Sequence, residues 1–572
     1  MNNRIYIFRT IIGVIFASLT HHGFCQTERY SIVISEIMAD PSPTVGLPNA
    51  EYIELHNRSG DDCLLIGYQL QIGNTIKALP VISIDSGGYI LLTAEKSRAL
   101  FENLGIEVYT LSSLSITDAG QSILLLDANG QVIHGVAFRK SWHEEVIKQD
   151  GGWSLELVDV DRPCRGAPGW ASSEDPTGGT PGRANSPHAA PADEGAPIIL
   201  RATMTDSASL RLYFSETIWN TTGIQPDDFR IVPELPIQHV AEVPPFFESL
   251  DLQLTGEPFS ETTYRVSIIG DLAGCSGNMV ASGEGILWGK AQAPLPGDLV
   301  INEVLSHPFD GSDADYIEIY NPSEKIVDLR DIMIGSGGDT MPRKAVVAAS
   351  GGMQLLPGHF AVLCKNRRLT MLQYAHHDPA VLHQCDSLPA YANASGVVFL
   401  TTRGMQIIDR LAYDERMHYS HLSSTEGVSL ERLSADQPTQ DASNWHSAAE
   451  SAGFGTPGLE NSQHGRDAPE AEVAVMPDVI SPDNDGFEDF AEFFIQFPLP
   501  EQRLTIRIFD ERGTMVCHLV NNDLCGTEAR YRWEGLDDSG QPVPTGLYIA
   551  DIRWWGDNGR GKHTRKVVGV RQ

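Results

Sequence analysis

The chain lacks the short motifs that mark the common catalytic centres. It has no HExxH zinc motif, no GxSxG nucleophile elbow, no phosphate-binding loop after a strand and no dinucleotide fingerprint. Each long segment is instead accounted for by the patterns described below, which leaves no room for a separate catalytic domain. The sequence therefore predicts a protein that is not an enzyme.

The chain is also poor in positive charge. Its 41 Lys and Arg residues face 75 Asp and Glu residues, which gives a formal net charge of -34. A surface this acidic repels phosphate backbones and anionic lipids, so nucleic acid is not an expected partner. Acidity also favours solubility and attracts divalent cations, although a solvated surface without any bound ion is the simpler interpretation.

No membrane-spanning run is expected in the mature chain. The apolar run over residues 11–17 follows Arg4 and Arg9 and precedes polar residues, which is the pattern of a secretory signal peptide over residues 1–25. The run itself is too short to span a bilayer. We expect export through the inner membrane, cleavage after Cys25, and a secreted or cell-surface protein without a transmembrane segment.

Cysteine is scarce: there are eight in 572 residues, and seven remain if Cys25 is cleaved off. An exported protein keeps such residues oxidised more readily than a cytosolic one. Sequence does not determine connectivity. The hypotheses are three pairs, each within one expected domain, with Cys275 left over: Cys63 with Cys164, Cys364 with Cys385, and Cys517 with Cys525.

Two similar hexapeptides, YIELHN at residues 52–57 and YIEIYN at residues 316–321, belong to a longer internal repeat. Seven short stretches recur in the same order, among them an opening that contains Glu36 or Glu303, the tripeptide SLE and a closing TPGxxN. Most stretches are rich in Ile, Val, Leu and Tyr and are bounded by turn residues, which is typical of short strands. The sequence predicts a duplicated β domain of about 160 residues.

Four glutamates recur in these strands, and two of them, Glu36 and Glu303, are candidates for buried carboxyl groups. Glu36 and Glu303 share strand parity with apolar neighbours, while Glu54 and Glu318 lie opposite the apolar face of a strand that is expected to have one buried side. A buried carboxyl needs hydrogen-bond partners or a raised pKa. There are two alternative roles for these glutamates: hydrogen bonding between strand and loop, and general acid and base catalysis. No nucleophile, histidine or metal cluster recurs beside them, which favours the first.

The opening (S/N)E(I/V), YIE(L/I)xN, an apolar hairpin, SLE and the closing TPGxxN together resemble bacterial lamin-tail domains, which are immunoglobulin-like β-sandwiches. The resemblance covers residues 28–186 and 296–462, more than half of the chain. It implies two lamin-tail domains, which in exported bacterial proteins usually serve as accessory modules.

The other two segments resemble further immunoglobulin-like modules. After a Pro- and Ala-rich linker (residues 187–197), residues 198–290 resemble a bacterial Ig-like module of surface-layer proteins. A second linker, residues 463–474, leads to residues 475–572, which resemble the flagellar-hook-capping Ig-like domain and related C-terminal modules of proteins exported by the type IX secretion system. The expected fold class is all-β, with four tandem immunoglobulin-like β-sandwiches.

The stretch SPDNDGFEDFAE (residues 481–492) has the oxygen-ligand spacing of a calcium loop. Asp483, Asp485, Asp489 and Glu492 take positions 3, 5, 9 and 12. Serine replaces the usual aspartate at position 1, and a strand follows where a calcium-binding hand has a helix. A calcium site and an acidic turn without any metal therefore both stay open.

The histidine cluster combines His376, His377 and Asp378 with His383 and Cys385, residue types that bind zinc or copper. Its spacing matches no ordered metal motif, and it lies in a loop peculiar to the second copy. A solvated loop is the simpler interpretation.

As a whole, the sequence predicts a non-enzymatic, secreted or cell-surface protein that binds and spaces other molecules through loops on rigid sandwiches. Cell-envelope or secretion-machinery proteins and surface glycans are the expected partners, and the last domain is an expected secretion or envelope-attachment signal. The alternatives are an extracellular metal-dependent hydrolase and a carbohydrate-binding adhesin.

Overall fold

The computed structural model describes residues 28–571 except 144, 187–195, 220–222, 275–276, 284, 310–313, 375–380, 386, 465–469 and 557–560. The predicted signal peptide and Cys275 lie outside the described residues. Within them nearly all regular secondary structure is β-strand, with three short α-helices, and no helix is long and apolar enough to cross a membrane. The all-β prediction is confirmed.

The first repeat (residues 28–186) consists of two facing sheets and a short ribbon. Its strands are β1 (Ile32–Met38), β2 (Tyr52–Asn57), β3 (Cys63–Leu65), β4 (Gln69–Ile72), β5 (Thr75–Ala78), β6 (Ile82–Ile84), β7 (Tyr89–Ala94), β8 (Val108–Leu111), β9 (Gly120–Leu126), β10 (Val132–Arg139), β11 (Leu155–Leu157) and β12 (Trp170–Ser172); its helices are α1 (Arg98–Glu102) and α2 (Val146–Gln149). The sheet orders are β12-β11-β1-β2-β7-β8 and β10-β9-β4-β5, with β3 paired to β6.

The middle unit (residues 198–290) is a smaller pair of sheets. Its strands are β13 (Ile199–Met204), β14 (Ser209–Phe214), β15 (Phe229–Val232), β16 (Ile237–Glu242), β17 (Ser249–Leu254), β18 (Thr263–Ile268) and β19 (Gly285–Gly289). The orders are β13-β14-β17-β16 and β15-β18-β19, all antiparallel.

The second repeat (residues 296–462) has the topology of the first. Its elements are β20 (Val300–Leu305), β21 (Tyr316–Tyr320), β22 (Val327–Asp328), β23 (Ile332–Ser336), β24 (Lys344–Val347), β25 (Gln354–Leu355), β26 (Phe360–Cys364), α3 (Arg367–Gln373), β27 (Leu382–Gln384), β28 (Ser395–Thr402), β29 (Ile407–Asp414), β30 (Leu430–Arg432) and β31 (Trp445–Ser447). The orders β27-β26-β21-β20-β30-β31 and β24-β23-β28-β29 reproduce the first repeat strand for strand. Even the parallel pair, β7 with β8, recurs as β26 with β27.

The last unit (residues 475–572) shares no sheet with the others, and its first strand begins slightly before that range. Its strands are β32 (Glu472–Met476), β33 (Val479–Ile480), β34 (Ala491–Gln496), β35 (Gln502–Phe509), β36 (Met515–Cys525), β37 (Glu528–Trp533), β38 (Gly546–Trp555) and β39 (Gly561–Val570). The orders are β32-β34-β37 and β33-β39-β38-β35-β36.

Each unit encloses its own apolar core between its sheets, as tandem immunoglobulin-like sandwiches do. The four large clusters of buried apolar side chains do not run from one unit into another. Short 3-10 turns connect the strands at Glu95–Ser97, Lys140–Trp142, Ala167–Gly169, Pro226–Asp228, Leu329–Asp331, Glu415–Met417, Ala442–Asn444 and Glu450–Ala452.

The face on which Glu36 lies differs from the prediction. A β-bulge at Ser35 reverses the alternation of β1, so that Ile34 and Ile37 face the main core while Glu36 faces away from it. The same irregularity precedes Glu303 in β20. The prediction that Glu36 and Glu303 share a face with the preceding apolar residues is therefore wrong, although both glutamates are fully buried.

The prediction that β2 has one buried side is also wrong, because all six of its residues are buried. The face away from the main core carries Tyr52, which packs with Met38, Leu91 and Phe101 in a second, smaller apolar cluster. The second sheet thus covers one face of the central strands, and segments outside the sheets cover the other.

The local cysteine pairs are not formed. Cys364 and Cys385 are not joined by a disulfide bond. Cys364 packs in the smaller cluster while Cys385 packs in the main core, so they lie on opposite faces of the sheet. Cys517 and Cys525 are free and lie in one strand, β36. Eight residues of strand span roughly 26 Å, far beyond disulfide reach.

Cys63 and Cys164 behave differently from the other described cysteines. Both are buried in the core of the first repeat. Both are oxidised in the structure, whereas the four other described cysteines are thiols. Their pairing with each other stays a prediction.

Direct contacts join the first repeat to the middle unit. The guanidinium group of Arg29 forms an ion pair with Glu242 at 2.8 Å and lies 3.5 Å from the ring centroid of Phe247. Tyr30 packs against Trp219, with ring centroids 5.3 Å apart. A charge pair backed by aromatic rings holds the two units in a defined orientation.

The middle unit also contacts the second repeat, which in turn contacts the last unit. The side-chain amide of Gln354 donates to Gly289 O at 2.7 Å and accepts from Gly289 N at 2.9 Å. Thr203 Oγ1 donates to Asp328 at 2.7 Å. At the next junction the backbone N of Thr527 donates to the carbonyl oxygen of residue 462 at 3.0 Å.

Candidate functional site

Each repeat buries three glutamates on neighbouring strands of its six-stranded sheet. In the first repeat Glu36 of β1 lies directly opposite Glu156 of β11 on one side and Glu54 of β2 on the other. All three are fully buried. Three carboxyl groups abreast in an apolar setting require donors from elsewhere in the fold.

The donors to Glu36 come from both the sheet and a distant loop. Its Oε1 atom accepts hydrogen bonds from the hydroxyl groups of Tyr52 and Ser154, each at 2.6 Å, and from the backbone N–H of Thr180 at 2.8 Å. Thr180 belongs to the closing TPGxxN sequence. We call residues 179–186 of the first repeat and residues 455–463 of the second the clasp segments.

The other two glutamates bind the same clasp segment. Glu54 Oε2 accepts from Gly182 N at 2.6 Å. Glu156 accepts from Thr180 Oγ1 at 3.0 Å and from Ser186 N and Oγ at 2.5 and 2.8 Å. The three carboxyl groups therefore hold the clasp segment against β1, β2 and β11 by hydrogen bonds.

The asparagine of TPGxxN also binds the sheet, through backbone carbonyl groups. Asn185 Nδ2 donates to the carbonyl oxygens of Ser35, the bulge residue, at 2.9 Å and of Leu157 at 2.8 Å. In the second repeat Asn461 Nδ2 donates to the corresponding carbonyl of Asn302 at 3.2 Å. The Thr, Gly and Asn of TPGxxN thus each have a definite partner, and the bulge supplies one of them.

The second repeat builds the same arrangement from Glu303, Glu318 and Glu431. The clasp atoms Thr456 N and Gly458 N donate to Glu303 at 2.9 Å and to Glu318 at 2.5 Å. Further donors to these three glutamates are Tyr316, Ser429, Thr456 Oγ1, Ser462, Gln463 N and Asn302 Nδ2.

Burial makes several of these carboxyl groups weak acids. Desolvation, with repulsion from the Glu156 carboxyl next, raises the pKa of Glu36 to about 7. Desolvation and the Glu303 carboxyl raise the pKa of Glu431 to about 8. The pKa values of Glu54 and Glu318 also lie well above the usual value, again chiefly through burial. Among the described residues no cation forms an ion pair with these groups, so part of each cluster keeps its proton at neutral pH.

This geometry accounts for the glutamates as hydrogen-bonding groups between strand and loop. The carboxyl groups of Glu36, Glu54, Glu303 and Glu318 are fully buried and accept hydrogen bonds from the clasp segments. The sequence analysis missed Glu156 and Glu431, although the repeated SLE tripeptide was the available signal. Their role required the register of β11 and β30 against β1 and β20.

A buried histidine supports the bulge from the opposite sheet. His134 of β10 accepts a hydrogen bond at Nδ1 from Ile34 N at 2.9 Å, and its Nε2 lies 3.2 Å from Pro163 O. Burial lowers the pKa of His134 to about 4, so the ring is neutral. In the second repeat Asp409 accepts from Ile301 N at 2.8 Å in the same place.

The predicted calcium loop assembles three of its four carboxyl groups. Ligand oxygens of Asp483, Asp485 and Asp489 lie within 4.8 Å of one another, and the loop is largely exposed. The same oxygens accept backbone N–H bonds within the loop, for example Asn484 N to Asp489 at 2.7 Å. Glu492 instead forms ion pairs with arginines of β37. Calcium binding by the three aspartates stays a prediction, and Glu492 is not placed with them.

Only part of the predicted histidine cluster lies within the described residues. His376, His377 and Asp378 lie outside the described residues. Cys385 points into the main core, and its thiol donates to Ala348 O at 3.3 Å. His383 Nδ1 lies 3.4 Å from the Arg201 guanidinium. The described members, His383 and Cys385, therefore serve packing and a contact between units.

A groove of about 980 Å³ lies where the first repeat, the middle unit and the second repeat meet. Its walls are β10 with β12, the loop over residues 245–248, and helix α3. Pockets of this size between domains are common ligand sites. The sequence analysis did not foresee it, because three separate segments build it.

Residues 26–140 match the family model of the Lamin Tail Domain. The match covers most of the first repeat's strands and ends before Glu156 and the clasp segment. No curated protein matches the chain.

Solved structures with some likeness to this chain include several bacterial proteins. The N-terminal part of the S-layer protein SbsC has 12% identity and a TM-score of 0.17, covering 38% of this chain and 43% of that one. PorZ, a surface component of the type-IX secretion system of Porphyromonas gingivalis, has 11% identity and a TM-score of 0.15, covering 92% and 81%. The glucan-utilization protein SGBP-B of Bacteroides ovatus has 10% identity and a TM-score of 0.16, covering 84% and 87%. The chain spans about half the length of the S-layer structures. Likeness at this level carries no functional argument.

Proposed function

We propose that this chain is a non-enzymatic, exported protein of the cell surface that acts as a binding and spacing scaffold. Residues 296–462 act in it as a second lamin-tail domain, and residues 475–572 act as a secretion or envelope-attachment module. Its partners are molecules of the cell envelope.

The observation that carries this proposal is the interlocking of the units. Each junction has its own hydrogen bonds or ion pairs, such as Arg29 with Glu242 and Gln354 with Gly289. Four sandwiches joined in this way hold their loops and the groove between them at set distances, which suits presentation of binding surfaces. The buried carboxyl groups, the strongest candidates for chemistry, are engaged in closing each repeat.

Surface display is tested with the full chain in intact cells. We expect externally added protease to digest the chain, detected by an antibody to the second repeat, while a periplasmic control protein stays intact. A chain that is protected in intact cells and digested only after lysis contradicts surface display.

The role of the last unit is tested by ending the chain at residue 474. We expect this variant to accumulate inside the cell and to be absent from the surface. Hydrogen exchange on the purified variant checks that the first three units remain folded. Normal display of the folded, truncated chain rules out the proposed secretion or attachment role.

A further inference from the structure

The last unit carries a band of exposed apolar side chains across the outer face of its larger sheet, β33-β39-β38-β35-β36. Residues that lie opposite each other in neighbouring strands point to the same face of a sheet. The register places four apolar residues in one row across β39, β38, β35 and β36: Val567, Ile549, Phe509 and Met515. The next row crosses β33, β39 and β38 and consists of Val479, Gly569 and Leu547. We call the six larger side chains of these two rows the apolar patch.

The apolar patch faces water. The exposed fraction of its side chains ranges from 37% for Ile549 to 62% for Leu547, and only Phe509 is half-buried. The residues that alternate with them along the strands, such as Tyr548 and Val568, point to the opposite face and pack in the core. The described parts of the other three units thus leave the patch open. Contiguous exposed apolar surface of this kind marks a place where another molecule binds.

Positive charge lies on one side of the apolar patch. In the next row along the strands, Arg565 and Arg507 lie opposite Asp551. Arg565 and Arg553 share the carboxylate of Asp551, with N–O distances of 3.1 and 2.7 Å, and both arginine side chains are more than half exposed. Arg507 Nε donates to His518 Nε2 at 3.4 Å. On the face itself three arginines thus surround one carboxylate, a formal excess of two positive charges, and residues 557–560, outside the described part, contain one Asp and one Arg.

Negative charge lies on the other side of the apolar patch. Two segments follow the strand ends there, the loop 481–489 after β33 and the turn 510–514 between β35 and β36. These segments contain six acidic residues: Asp483, Asp485, Glu488, Asp489, Asp510 and Glu511. The nearby cations are Arg512 in the turn and Arg571, which forms an ion pair with Glu488 at 2.9 Å. This side therefore has a formal excess of four negative charges.

We propose that the apolar patch packs face to face on the same patch of a second copy of this chain, about a two-fold axis that runs across the strands. This axis reverses the strand direction in the second copy, so the acidic side of each copy lies over the arginine side of the other. The two apolar patches meet between them, as the inner faces of a sandwich do. The face complements itself in this orientation because its charges have opposite signs on the two sides of the patch.

The acidity of the whole chain opposes this contact only weakly. Residues 475–572 contain 11 Lys and Arg against 16 Asp and Glu, which is a formal charge of -5 in a chain of -34. Most of the negative charge therefore belongs to the other units. Charges separated by more than about 8 Å of water are largely screened at physiological salt.

The size of the face indicates a weak, reversible dimer. Five strands about 4.8 Å apart and four rows of side chains about 6.7 Å apart, with the flanking turns, span roughly 20 by 25 Å, or about 500 Å² per copy. Two copies together bury about 1,000 Å², which is the low end for specific interfaces. We expect a dissociation constant of about 10 to 100 µM. This inference goes beyond the proposed function and does not depend on it.

The test is sedimentation velocity of the purified chain without its predicted signal peptide, residues 26–572, at about 1 to 200 µM. We expect conversion from monomer to dimer over this range. Val567→Glu places a carboxylate in the apolar patch of both copies and is expected to raise the dissociation constant at least about ten-fold. Ile76→Glu is the matched control, because Ile76 is a similarly exposed β-branched residue in a strand of the first repeat. It should leave the dissociation constant unchanged.

Charge reversal tests the orientation of the two copies. Arg565→Glu and Glu511→Arg each place like charges over one another in their own dimers, so each is expected to weaken self-association about five-fold or more. An equimolar mixture of the two variants restores opposite charges at both contacts and should form a heterodimer about as tightly as the unaltered chain forms its dimer. Thermal unfolding checks the fold of each variant, and Leu547→Glu takes the place of Val567→Glu if that variant does not fold.

Three results overturn the proposal: a chain that stays monomeric at about 200 µM, equal effects of the patch variant and its control, or mixed charge variants that associate no more tightly than either alone. None of these results bears on surface display or on export, which are measured in intact cells. A displayed protein that stays monomeric keeps the proposed scaffold role and lacks this self-contact.

Discussion

The carboxyl oxygen Oε1 of Glu36 accepts a hydrogen bond at 2.8 Å from the backbone N–H of Thr180, which lies 144 residues later in the chain. The second repeat joins Glu303 to Thr456 in the same way at 2.9 Å. In each repeat a buried glutamate therefore binds the clasp segment at the C-terminal end of that repeat. The clasp segment covers the face of the sheet that does not meet the main core. The following predictions depend on this closure and on the groups around it.

Glu36→Ala removes the acceptor for Tyr52, Ser154 and Thr180. Because buried donors without partners are costly, we expect the first repeat to lose about 3 kcal/mol of stability. A chain with several units does not unfold in two states, so the measurement is native-state hydrogen exchange of peptides from residues 28–186. The expected result includes faster exchange at Thr180.

The matched control for this change is Glu102→Ala. Glu102 lies on the surface in an exposed ion pair with Arg98. Exposed pairs are worth less than about 1 kcal/mol, so exchange in the first repeat should hardly change. Equal effects of the two substitutions would show that Glu36 does not fasten the clasp segment.

The stability of the first repeat should fall as pH rises from about 4.5 to about 7. Over this range the unfolded chain loses the proton of Glu36, whose pKa is raised from 4.5 to about 7 in the fold, while the folded chain keeps it. The contribution is on the order of 3 kcal/mol, and the raised pKa of Glu54 acts in the same direction. Glu36→Gln should flatten this slope, as measured by hydrogen exchange at several pH values. An unchanged slope contradicts the assignment.

His134 should make the first repeat less stable as pH falls, which is the opposite of the pH dependence expected from Glu36. Its pKa is lowered from 6.5 to about 4, so the unfolded chain takes up a proton between these values while the folded chain does not. Stability is therefore lost as pH falls from about 6.5 to about 4. His134→Asn keeps an acceptor for Ile34 N, as Asp409 does in the second repeat, and should reduce the acid-side loss. An identical acid profile for the variant would show that His134 is not responsible.

The cysteine arrangement predicts a definite alkylation pattern. In denaturant without reductant, Cys364, Cys385, Cys517 and Cys525 should all be alkylated, because they are thiols in the structure. Cys63 and Cys164 should react only after reduction, and mass spectrometry should find their peptides linked. A link between Cys517 and Cys525 would contradict their placement in one extended strand.

The sequence predicted the strands and the duplication well, because alternation and turn residues act between near neighbours. YIELHN became β2, YIEIYN became β21, and the two repeats share one strand order. Strand-to-loop hydrogen bonding by Glu36 and Glu303 was also foreseen. The partners Glu156 and Glu431 were not, because their role depends on strands that come together across more than 100 residues.

By itself, the sequence determined that this chain forms repeated β-sandwiches and where turns interrupt the strands, since these features follow from local backbone preferences and side-chain alternation. Tertiary structure alone decided which face Glu36 and Glu303 occupy, because one extra residue in a bulge reverses every side chain beyond it. It also decided that the local cysteine pairs do not form and that three units meet at a groove. Those outcomes depend on register and on contacts between distant segments, which no local pattern encodes.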